Sequence, residues 1–112
     1  MPTVDYIKGR LHGLDELVKI LKDVVASKST DNSAIVQVLT NHISNQLDSI
    51  LEDVEGMPKE KPEHEKVAQS MAQKHEDAKT KVEAAETPEA KVEEHSKTVD
   101  DLLKDLENMK GD

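Results

Sequence analysis

Residues 4–25, VDYIKGRLHGLDELVKILKDVV, set Val4, Ile7, Leu11, Leu14, Val18, Leu21 and Val25 at alternating steps of three and four without a miss. A mean step of 3.5 keeps one stripe on one face of a helix. Such a stripe is buried against another helix and not within a sheet, whose side chains alternate with period two. Leu17, Ile20 and Val24 run beside this seam and make it broader than a two-stranded coiled coil requires. The segment therefore reads as a helix with room for two neighbours.

Working outward, three breaks divide the rest of the chain. Ser27-Lys28-Ser29-Thr30-Asp31-Asn32-Ser33 is polar and rich in capping residues, Gly56-Met57-Pro58-Lys59-Glu60-Lys61-Pro62 holds a glycine and two prolines, and Thr87-Pro88 sets a capping residue before a proline. That last order is the one expected of an N-cap and the first helical position. Four segments remain, about 3–27, 33–55, 62–86 and 88–110. Helices of this length span roughly 35 Å at ~1.5 Å per residue.

The second segment carries Val36, Leu39, Ile43, Leu47, Ile50 and Val54, with Ile35, Val38 and Leu51 widening the stripe. The fourth returns to the heptad through Val92, His95, Val99, Leu102, Leu106 and Met109, whereas the third has only Val67, Met71, Ala78, Val82 and Ala85. Near-equal lengths and short connections predict an all-α fold, an antiparallel four-helix bundle forming a single domain over 1–112. Leu, Ile and Val number 19 in residues 1–56 and 7 in residues 57–112. That imbalance places the firm core in 3–55, makes 62–86 and 88–110 the weaker helices, and opens an alternative. In it the N-terminal helical hairpin dimerises and the C-terminal region stays long, polar and partly mobile. Thr87-Pro88 leaves open whether the last two segments fold back or form one kinked helix.

Composition narrows function by exclusion. With no Cys there is no disulfide, thiol nucleophile or Cys-ligated zinc; with no Phe or Trp and Tyr6 as the lone aromatic, the core is aliphatic. A formal charge of -9 with a single Arg, Arg10, argues against direct nucleic-acid binding. No apolar run approaches the ~20 residues of a membrane span and no signal-type segment opens the chain, so a cytoplasmic location is expected.

No motif carries chemistry. The residues three before His12, His42, His64, His75 and His95 are Gly9, Leu39, Lys61, Ala72 and Val92, so the Glu-x-x-His pattern of di-iron bundles is absent. No metal, cofactor or catalytic residue is assigned. Leu47-Asp48-Ser49-Ile50-Leu51 resembles the Asp-Ser-Leu of acyl carrier proteins, but a carrier serine opens a helix and Ser49 falls within one. Gly9 and Gly13 read as tolerated weak points near a helix end. Asp15–Lys19, Asp77–Lys81, Glu93–Lys97 and Asp100–Lys104 are spaced to stabilise solvated helix faces.

The expectation is a non-enzymatic helical interaction module: an adaptor, assembly factor, chaperone or inhibitor. Its partner is another protein or a second copy, met through Leu17, Ile20, Val24, Ile35 and Val38. The alternative is an amphipathic bundle that lies on a lipid surface, and a weaker one is an acidic mimic of nucleic acid. His95, in a seam, is expected to be a pH-sensitive packing point, because a charged imidazole is costly there.

Overall fold

The computed structural model describes residues 3–27, 33–59 and 61–110. Four helices follow one another: α1 (Val4–Ala26), α2 (Ser33–Gly56), α3 (Pro62–Ala84) and α4 (Pro88–Lys110). Their ends are set by local chemistry. Thr3 Oγ1 accepts the Tyr6 backbone N–H at 3.1 Å, and Thr87 Oγ1 accepts that of Ala90 at 3.1 Å. Each satisfies an N–H that the first helical turn leaves without a partner. Pro62 and Pro88 stand at first helical positions, where a missing N–H costs nothing. Ala85 turns to extended backbone at ψ 131° and ends α3.

The helices form an antiparallel bundle 50 Å long and 24 by 19 Å across. Ion pairs give the direction of each neighbour. Lys8 near the start of α1 pairs with Glu107 near the end of α4. Arg10 donates to Asp53 Oδ2 at 2.6 Å and to Gln46 Oε1 at 2.9 Å, tying α1 to the C-terminal half of α2. Asp105 of α4, itself buried, accepts from Lys74 Nζ at 2.9 Å and Ser70 Oγ at 3.0 Å on α3. Thr87-Pro88 therefore marks a true turn, with α3 and α4 folded back on each other.

One continuous core runs through all four helices. Ile7, Leu11, Leu21, Ile43, Val54, Met71, Val99, Leu102 and Leu106 are fully buried in it. The four-helix bundle, and not the dimerising hairpin with a mobile C-terminal region, is thus the architecture adopted. Packing does not follow the aliphatic count: α1 lies more extensively against α4 than against α2, and α4 more against α3 than α2 does. Small α3 side chains such as Ala68 and Ala78 let α4 approach closely. The Met109 side chain, expected in the α4 seam, lies outside the described residues. Of the four acid–base pairs expected along helix faces, Asp15–Lys19 closes, at 3.2 Å, among the described residues; Lys97 pairs instead with Glu94 at 3.9 Å.

Candidate functional site

Two features on opposite flanks of α2 stand out: an apolar face shared with α1, and a polar cleft shared with α3.

The α1–α2 face begins at the Arg10 clamp. A groove lined by Arg10, Gly13, Leu17, His42 and Gln46 follows it, which sets Leu17 across from His42. The same antiparallel register carries Ile20 toward Val38 and Val24 toward Ile35. Leu17 and Val24 are half-buried and pack on the core edge. Ile20, Ile35 and Val38 are 56%, 53% and 66% exposed, and Tyr6 is exposed further down α1. The five residues expected at a partner face therefore divide into two rooted in the core and three left bare. Their surroundings are acidic on the α1 side, where Glu16 and Asp23 are exposed. Among the described residues no atom lies within 4 Å of where a Cβ would stand on Gly9 or Gly13, so neither glycine is needed for a close helix contact.

Leu51 separates from Ile35 and Val38. All three widen the α2 stripe in the sequence, yet Leu51 is buried and the other two are not. Leu51 packs into the shared core, whereas Ile35 and Val38 remain more than half exposed among the described residues.

The second feature is a cavity of about 230 Å³ between α2 and α3, closed at the back by α4. It exists because α2 presents Thr40 and Ser44 where α3 presents Ala78 and Val82, side chains too short to meet. Two imidazoles line it. His75 is 6% exposed, and its Nε2 lies 2.6 Å from Asp48 Oδ1, which Lys79 also approaches at 3.5 Å. His95 is 2% exposed, and its Nε2 lies 3.4 Å from Ser44 Oγ. The Nδ1 of each ring is enclosed without a hydrogen-bond partner. An unsatisfied buried polar group costs about 1–3 kcal/mol. Burial, then the Lys91 ammonium, then His75 push the His95 imidazole down from 6.5 to about 4, so it is neutral near pH 7.

His95 was legible as a seam residue; His75 was missed. The signal was present, since His75 lies four residues after Met71 and three before Ala78, both in the expected α3 stripe. A stripe read only through its apolar members passes over a histidine within it. Ser49 lies well inside α2, so the short resemblance to acyl carrier proteins has no structural counterpart at a helix start. Among the described residues no three His, Asp or Glu side chains gather as metal ligands, and no helix is long and apolar enough to cross a membrane.

Comparison with protein-family models, with curated proteins and with solved structures finds no match to this chain.

Proposed function

We propose that this chain is a non-enzymatic interaction module that receives an amphipathic helix of a partner protein along its α1–α2 face. The observation that carries the reading is that Ile20, Ile35 and Val38, on two adjacent antiparallel helices, are each more than half exposed. Single exposed aliphatics are ordinary, but three on neighbouring helices, near a groove between them, suit the way a helix is held by anchors at i, i+3, i+4 and i+7. Leu17 and Val24 root that face in the core, and the exposed acids Glu16 and Asp23 on α1 favour a partner helix with basic flanks. A lipid surface is the weaker reading, since the face is acidic-rimmed and Tyr6 is the lone aromatic to anchor it.

The test uses a synthetic Leu/Lys amphipathic peptide, its Leu/Glu counterpart, and anionic vesicles. The expected outcome is binding of the Leu/Lys peptide that Val38→Asp abolishes, while thermal unfolding of the variant stays within about 0.5 kcal/mol of the parent. Vesicle binding lost in Val38→Asp, without peptide binding, would replace this reading with the lipid one. Light scattering that shows a dimer broken by Val38→Asp would assign the face to a second copy.

A further inference from the structure

The α2–α3 cleft lies on the other flank of α2 from the proposed helix-binding face and has its own chemistry. One side is aliphatic, from Leu47, Ala78 and Val82. Of the two ammonium groups at its edge, Lys79 is engaged with Asp48, which also holds His75. Lys91 lines the same cavity and, among the described residues, has no ion-pair partner. The Ser44 hydroxyl lines the cavity too, against the ring of His95, which follows Lys91 by one turn of α4. Glu83 at the rim is exposed, so water screens its repulsion.

We propose that this cleft binds a small organic monocarboxylate, with its apolar body on Leu47, Ala78 and Val82 and its carboxylate at the Lys91 ammonium, Ser44 supplying a further donor. Size sets the class: about 230 Å³ falls short of the roughly 300–1,000 Å³ of drug-sized sites but holds a ring or short chain with its acid group. Charge sets the rest. One unpartnered cation beside Asp48 and Glu83 suits a single negative charge and disfavours a dianion. The two histidines fit a binding wall better than a core. Aliphatic side chains at 75 and 95 would pack without leaving Nδ1 atoms unsatisfied, whereas imidazoles keep the wall polar.

The full-length chain, isotopically labelled, is titrated by NMR with benzoate, with benzamide as the same ring without the charge, and with inorganic phosphate as charge without the ring. Benzoate is expected to give saturable shifts at Ser44, Lys91 and His95. Binding is expected to be about tenfold weaker for benzamide, and again about tenfold weaker for benzoate with Lys91→Met, the size of one lost charge-assisted contact. Ala78→Leu, which fills the cleft, is expected to abolish the shifts; where it overpacks the bundle, Lys91→Met carries the comparison alone. Benzamide or phosphate binding as tightly as benzoate would overturn the proposal. So would benzoate shifts that persist undiminished in Lys91→Met, or the absence of saturable shifts at the cleft with both benzoate and hexanoate.

Discussion

At the scale of single residues, His95 couples packing to pH. Its folded value of about 4 lies below the ordinary 6.5, so between those limits the unfolded chain binds the proton more readily. Stability from this group is therefore complete above pH 6.5 and is lost as the pH falls through the window toward 4. The shift sets the loss at up to ~3 kcal/mol. His95→Leu is expected to remove that part of the slope, so in urea unfolding the variant gains on the parent by up to ~3 kcal/mol as the pH falls from 6.5 toward 4. Equal slopes would show that His95 does not titrate with folding. The seam position of this histidine was readable in the sequence. Its depressed affinity for protons was not, because the burial that chiefly lowers it, and the approach of His75 from α3, arise only when the helices pack, whereas Lys91 acts from the preceding turn of α4.

At the scale of elements, caps and spacing made the helices legible almost to their ends. Thr87 is the clearest case: Thr87→Ala deletes the acceptor for the Ala90 N–H and is expected to lower stability by about 1 kcal/mol in chemical denaturation. Gly9 and Gly13 work the other way. With open space where each Cβ would stand, Gly9→Ala and Gly13→Ala are each expected to stabilise the free chain by about 0.5–1 kcal/mol, seen as a higher Tm. Gly13 lines the α1–α2 groove, so Gly13→Ala that stabilises the chain yet weakens Leu/Lys peptide binding would place the peptide backbone close to it. What the elements did not reveal was which flank of α2 stays bare. Ile35, Val38 and Leu51 look alike as additions to one stripe, and only neighbours on each side distinguish them.

At the scale of the whole molecule, the core is shared more evenly than the aliphatic residues that build it. Leu11 on α1 and Leu102 on α4 are both fully enclosed. Leu11→Ala and Leu102→Ala are therefore each expected to cost about 2–5 kcal/mol in one cooperative unfolding transition. A small loss for Leu102→Ala, or two separate transitions, would restore the picture of a firm N-terminal hairpin with a loose remainder. By itself the sequence determined four helices, their lengths and the inward stripe of each, because caps, proline positions and 3.5-residue spacing act within a few residues of chain. Only the tertiary structure decided that α1 leans on α4 more than on α2, that Ile20, Ile35 and Val38 stay exposed, and that His75 and His95 line one cleft. Those outcomes depend on how side chains of unequal size meet across helices far apart in sequence. Ala78 facing Ser44 leaves a gap that neither helix encodes alone.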